Sequence, residues 1–152
     1  MKIIYCAVYL AFIGILSNFI GDTLGRDNLP FDRPPFSPFS FEKNGAFYEK
    51  LKIRFWKDRV PDMSKIRRSM VKKKVFHYRS VPELTLLAKE TCVAEIIHSA
   101  LIIFAIPCFF LGGALWGSVC FTVWTLGNIP FIMIQRYNRA RIISLIARLD
   151  KL

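Results

Sequence analysis

From Ser99 to Ile134 the chain runs thirty-six residues without one charged side chain. A bilayer core takes about 20 apolar residues to cross as a helix, so this run is too long for one span and right for two. Gly112-Gly113 is the natural break. The pattern predicts a second membrane helix from about Thr91 to Leu111 and a third from about Ala114 to Ile134. Both outer ends of such a hairpin face the same side.

A first uncharged run, Ile3 to Ile20, is also long enough to span, and it ends in Asn18-Phe19-Ile20-Gly21 without a small-residue cleavage pattern. We read it as an uncleaved membrane helix. Hydrophobic residues make up 53% of the chain, more than a soluble domain usually carries, and the net charge is +11. A basic chain suits either nucleic acid or anionic lipid, and the apolar runs decide for anionic membrane lipid and against nucleic acid. Cys6, Cys92, Cys108 and Cys120 form no CxxC pair and no zinc spacing, so neither a metal nor any other cofactor is expected.

Between Asp22 and Cys92 there are 16 Lys or Arg against 9 Asp or Glu, which makes the segment cytoplasmic by the positive-inside rule. The basic tail Arg136, Arg139, Arg141, Arg148 and Lys151 places the hairpin ends and the C-terminus on that side too. Pro30, Pro34, Pro35 and Pro38 forbid a regular helix over the start of this segment. The phenylalanines set among them suit either a path along the membrane interface or packing on the domain. Phe47 to Lys57 interleaves aromatic with basic residues, as an interfacial element does, with Tyr48 and Trp56 at headgroup level. Lys65 to Lys74 holds six basic residues, suited to lipid headgroups or to the phosphates of an acyl donor. Ser80-x-x-Glu83 is a capping box that starts a helix.

The expected fold is an all-α membrane protein with about three transmembrane helices plus amphipathic interfacial helices. Residues 1–21 form the N-terminal transmembrane helix and 22–90 the basic cytoplasmic or interfacial segment. Residues 91–152 form the transmembrane hairpin with its basic C-terminal helix. The protein is expected in the cell membrane as a multi-pass protein.

Polar residues inside a membrane are costly unless they face protein or water, which makes the few present here candidates for function. Thr91, Glu95 and His98 fall at i, i+4 and i+7 on one helix face, about 10 Å from end to end. Histidine can take a proton from a hydroxyl attacking an acyl carbonyl, with a carboxylate fixing its tautomer. A buried polar pair that only joins helices is the competing reading. Glu-x-x-His occurs in di-iron bundles as well, but there with a second copy that this chain lacks.

On the return arm Asn128 and Gln135 nearly eclipse, and Arg139 follows one turn later. Pro130 between them leaves the carbonyl of Leu126 without its helical donor and is a place for a kink. His98 and Asn128 sit about 10 Å inside their respective helices, so a hairpin brings them together. Asn128 or Gln135 then suits an oxyanion, and Arg136 and Arg139 a phosphate or carboxylate of the donor. Arginines snorkelling at a helix end are the plainer alternative.

At these residues the sequence resembles the glycosyl-4,4'-diaponeurosporenoate acyltransferase family, small bacterial membrane proteins assigned the last step of staphyloxanthin-type carotenoid synthesis. The matching pieces are Glu42-Lys43-x-Gly45, Trp56-Lys57-Asp58 with Pro61, and Glu90-Thr91 with Ala94-Glu95-x-Ile97-His98. The longest is Asn128-x-Pro130 through Gln135-Arg136-Tyr137-Asn138-Arg139-x-Arg141. These pieces cover roughly the final two thirds of the chain. Leu29 to Pro38 maps onto no part of the pattern.

The resemblance implies transfer of a fatty acyl group from an acyl donor to a sugar hydroxyl of a glycosylated carotenoid or another glycolipid. His98 and Glu95 are then the catalytic candidates, and Asn128, Gln135, Arg136, Asn138, Arg139, Trp56 and Lys57 the substrate-binding ones. A non-catalytic membrane scaffold of a lipid-pathway complex is the alternative from a different class.

Overall fold

The computed structural model describes residues 1–60 and 80–151, and the basic cluster at 65–74 lies outside them. The fold is all-α, with no strand among the described residues. Helix α1 is Lys2–Thr23, and 3₁₀ turns at Ser40–Gly45 and Lys57–Arg59 flank two short helices, α2 (Ala46–Lys50) and α3 (Ile53–Trp56). Two long helices follow, α4 (Val81–Ile103) and α5 (Cys108–Leu149). The chain divides into two compact units, one of Met1–Gly25 with Val93–Ile132, the other of Arg26–Cys92 with Met133–Leu152.

In the first unit, α1 is apolar on every side, and Ile4, Val8, Phe12, Ile15 and Phe19 stay exposed. A helix apolar all round belongs in a protein core or a bilayer, and this one is not in a core. Helices α1 and α5 are both long and apolar enough to cross a membrane. Helix α4 is of similar length but carries Glu83, Lys89, Glu90 and Glu95.

One strip of α1 is covered, where Cys6 and Leu10 pack with Ala105 and Cys108, flanked by Tyr9, Ile13, Cys120, Phe121 and Trp124. Polar atoms in that contact pair with backbone carbonyls, Tyr9 Oη donating to Phe104 O at 2.8 Å and Cys6 Sγ to Cys108 O at 3.5 Å. Trp124 Nε1 likewise donates to Leu101 O at 3.0 Å, with its ring over Gly14, where an added Cβ would stand 3.3 Å away.

The hairpin reverses at the glycine pair, as the sequence suggests: Gly117 lies back against Cys108 and Phe109, and Leu101 with Trp124 and His98 with Asn128 face each other across arms centred on Gly113. Helix α4 stops at Ile103, and turns closed by Ala105 N to Ile102 O and Cys108 N to Ala105 O carry the chain to Pro107 and into α5. Pro107 is the cause, because in a continuing helix its ring would strike the carbonyl of Ile103, four residues back. That interruption lies within the outgoing arm, and the reversal follows at the glycines. Gly113 has φ +70° and ψ −175°, backbone open essentially to glycine alone. A Cβ on Gly112 would lie 2.7 Å from Gly117 N and 2.8 Å from Cys6 Sγ. Past that point α5 continues through Pro130 to Leu149, so the tail extends the helix, and Gly113 is its one residue with non-helical dihedrals.

The second unit is built on two stripes. Leu84, Leu87 and Ala88, at i, i+3 and i+4 near the start of α4, pack on Ile142 of α5, with Leu145, Ile146 and Leu149 along the same side and Phe31 against them. Ser80 Oγ accepts from Glu83 N at 3.4 Å, which caps the start of α4. A second cluster joins Tyr48, Ile53 and Tyr137, flanked by Trp56, Met133 and Ile134.

Candidate active site

In the first unit α4 and α5 bring His98 and Asn128 into contact, with His98 Nδ1 2.9 Å from Asn128 Oδ1. The orientation of the amide is fixed by its other end. Asn128 Nδ2 donates to Trp124 O at 2.8 Å, and a carbonyl can only accept, so the atom facing the histidine is the amide oxygen. Nδ1 must therefore carry the proton. In the neutral ring Nε2 then holds the lone pair, which is the arrangement of a general base. Phe131, three residues past Asn128, stacks on the imidazole with centroids 4.5 Å apart and planes 10° from parallel. Glu95 lies half-buried on α4 one turn before His98.

One turn before Asn128, Thr125 Oγ1 is buried with no hydrogen-bond partner among the described residues. Sequence reading passed over both Thr125 and Phe131. Helical spacing from Asn128 was the signal for each.

In the second unit the two arginines of the Gln135-Arg136-Tyr137-Asn138-Arg139 run bond to protein groups. Arg136 holds Glu42 in a fork, Nε to Oε1 at 2.5 Å and NH2 to Oε2 at 3.1 Å, and it also donates to Ser37 O at 3.1 Å and Pro35 O at 3.3 Å. Glu42 accepts as well from the Tyr48 hydroxyl and from Phe39 N at 2.7 Å. Arg139 is 1% exposed and gives Nε to Phe36 O at 2.8 Å and NH1 to Thr91 Oγ1 at 3.3 Å. Phe39 and Phe36 lie under the two guanidinium groups at 4.3 and 5.5 Å.

This accounts for the proline-rich stretch. Its prolines supply carbonyls but no N–H, and the guanidinium forks satisfy three successive carbonyls from Pro35 to Ser37. Through these bonds the segment packs on the domain, while Phe39 and Phe41 at its end stay exposed.

Burial pushes the Glu42 carboxyl up, but the bonds from Arg136, Tyr48 and the Phe39 N–H outweigh it and hold it below the usual carboxylate range. Burial, followed by the bond to Glu42, raises the Tyr48 phenol well above its ordinary value, so it stays a donor. Lys57 donates to Asn138 Oδ1 at 3.3 Å and lies over the Tyr137 ring. Burial lowers its pKa, with the neighbouring positive charges of Arg141 and Arg54 adding to the shift and Asp58 opposing it. Gln135 is buried, and Trp56 Nε1 donates to Leu51 O at 3.1 Å. Among the described residues no group of His, Cys, Asp and Glu is placed to hold a metal ion.

The model of the family described as glycosyl-4,4'-diaponeurosporenoate acyltransferase matches residues 32–148, from the proline-rich stretch almost to the end of α5. The chain belongs to that family.

A glycosyl-4,4'-diaponeurosporenoate acyltransferase of Staphylococcus aureus strain MRSA252 is 31% identical over 117 residues, covering 76% of this chain and 70% of the relative. The protein of the same name from strain N315 is 30% identical over the same coverage. No solved structure matches. Membership makes the chain an acyltransferase and decides against the non-catalytic scaffold. The match begins at residue 32, so most of the proline-rich stretch lies inside the family region after all. Its counterpart of chemistry is Glu42, in the Glu42-Lys43-x-Gly45 piece, whose carboxylate anchors Arg136 of the longest piece.

Proposed function

We propose that this protein is a multi-pass membrane O-acyltransferase that esterifies a sugar hydroxyl of a glycosylated carotenoid with a fatty acyl group, its basic segments and C-terminus cytoplasmic. The observation that carries the reading is the oriented His98–Asn128 pair on two helices of a chain that belongs to an acyltransferase family. In the proposed reaction the sugar hydroxyl oxygen attacks the acyl carbonyl while His98 Nε2 takes its proton. An ester C–O bond forms, the bond from the acyl carbon to the donor's leaving group breaks, and the proton passes from His98 to that leaving group.

The imidazolium formed midway is stabilised by Asn128 Oδ1, whose bond from Nδ1–H strengthens as the ring gains charge. Glu95, one turn away on the same helix, adds negative charge on the side of the base. Asn128 thus does the work that a carboxylate does in a serine triad, holding tautomer and ring direction.

Gln135, Asn138, Trp56 and Lys57 are the proposed contacts for substrate. Arg136 and Arg139 serve that surface from beneath: with their charges committed to Glu42 and to backbone carbonyls, they fix the loop instead of gripping a phosphate. The test is turnover by the purified chain in detergent, given an acyl donor and the glycosylated carotenoid and followed by product mass. A gain of one acyl mass without any partner protein is expected. Acylation of a different glycolipid in preference to the carotenoid would overturn the acceptor, and no transfer to either would overturn the reaction.

A further inference from the structure

Phe39, Phe41 and Phe47 are 46%, 60% and 38% exposed, yet they form one continuous set of rings. Phe39 stacks on Phe41 at 5.8 Å, and Phe41 meets Phe47 edge to face at 5.7 Å. The set is held rigidly from below. Phe47 abuts the buried Tyr48 at 5.4 Å, and Arg136 lies against Phe39 at 4.3 Å. Between Phe41 and Phe47 the backbone passes through three left-handed residues, Lys43, Asn44 and Gly45, two of which are not glycine. Strained backbone of this kind persists only where the surroundings impose it. The core side supplies that constraint, with Gly45 against Ala140 and Tyr137 and Glu42 buried on Arg136, so the rings are held outward by a turn fixed from beneath.

The chemistry around the rings says what they meet. Lys43, Lys50, Lys52, Arg54 and Arg59 are all exposed on the same stretch, while Glu42 is buried and already paired, leaving Glu49 and Asp58 as its exposed acids. Rigid apolar rings with cations beside them match the boundary of an anionic bilayer, where rings enter the acyl region and ammonium groups stay with the headgroups. The same chain carries two helices apolar enough to cross a membrane.

We infer that the Phe39–Phe41–Phe47 patch is a membrane-docking surface that inserts into an anionic lipid interface and seats the second unit on it. This goes beyond the acyl-transfer reading and does not depend on His98.

The full chain is reconstituted in vesicles containing phosphatidylglycerol and lipids brominated along the acyl chain. An environment-sensitive dye is placed at Phe41→Cys, at Phe47→Cys and, as a water-exposed control, at Asp32→Cys. Dye emission at 41 and 47 is expected to shift to the blue and to be quenched at least twofold by the brominated lipid, with no change at 32. Replacing phosphatidylglycerol by phosphatidylcholine is expected to reduce the quenching. Phe41→Trp, which keeps an aromatic ring in the stack, gives the same reading from intrinsic fluorescence without a dye. Labels at 41 and 47 as wet as the one at 32 would overturn the inference. So would labels that are shielded but unquenched, since protein, a second copy of this chain included, would then cover the patch. Quenching indifferent to phosphatidylglycerol would overturn the role of the cations.

Discussion

Glu42→Gln is the perturbation whose cost the geometry fixes most fully. The carboxylate is 1% exposed and takes four bonds, Oε1 from Arg136 Nε and the Tyr48 hydroxyl, Oε2 from Arg136 NH2 and Phe39 N. An amide keeps one acceptor oxygen and turns the other into a donor. Whichever way it is flipped, one Arg136 nitrogen then faces an N–H, and the guanidinium, 8% exposed, loses its counter-charge. Removing one partner of a buried ion pair costs about 3–5 kcal/mol. Arg136 keeps the carbonyls of Pro35 and Ser37, so the lower end, about 3 kcal/mol or roughly a hundredfold in the folding equilibrium, is the expected value.

The assay is denaturant unfolding of the full chain in micelles, for wild type and variant, across pH. Because the carboxyl is held below its ordinary value of 4.5 in the folded state, its stabilisation is complete above that pH and fades as pH falls through the lower folded value. The gap between the two proteins should therefore close in acid. A gap under about 1 kcal/mol at neutral pH, the size of an exposed ion pair, would refute the reasoning, and so would a gap that acid leaves unchanged.

Asn128→Ala removes the group that fixes the His98 tautomer and should lower kcat by about a hundredfold with KM little changed, which steady-state kinetics on mixed micelles can read. Thr125→Val replaces a buried, unpartnered hydroxyl by a methyl of the same shape, so thermal unfolding should show equal or higher stability. Gly113→Ala forces a Cβ into backbone at φ +70° and ψ −175°, a region open essentially to glycine alone, and should destabilise by about 1–3 kcal/mol, seen as a lower unfolding midpoint in the same micelles.

Periodicity and punctuation made the helices legible. Ser80 and Glu83 announce the start of α4, and the stripes of Leu84, Leu87 and Ala88 and of Ile142, Leu145 and Ile146 carry helical spacing on their face. Equal depth on two arms of a hairpin was enough to bring His98 to Asn128. The glycine pair marked the reversal of the hairpin; what the sequence reading missed was Pro107, whose steric demand on Ile103 interrupts the outgoing arm before it.

What the sequence hides is long-range pairing. Glu42 stands 94 residues from Arg136, and nothing in the local pattern around either says that one buries the other's charge. Without that pairing the arginines read as cations for a phosphate or carboxylate of the donor, and the path of the proline stretch stays undecided between the membrane interface and the domain. The tautomer of His98 was beyond reach for a similar reason: it depends on which end of an amide meets the Trp124 carbonyl.

The most direct test of the central claim is the rate of ester formation by His98→Ala, measured on protein whose membrane extraction and unfolding midpoint match the wild type. Loss of a positioned general base should cut kcat by about 10²–10⁴-fold. Transfer at the wild-type rate would contradict the account.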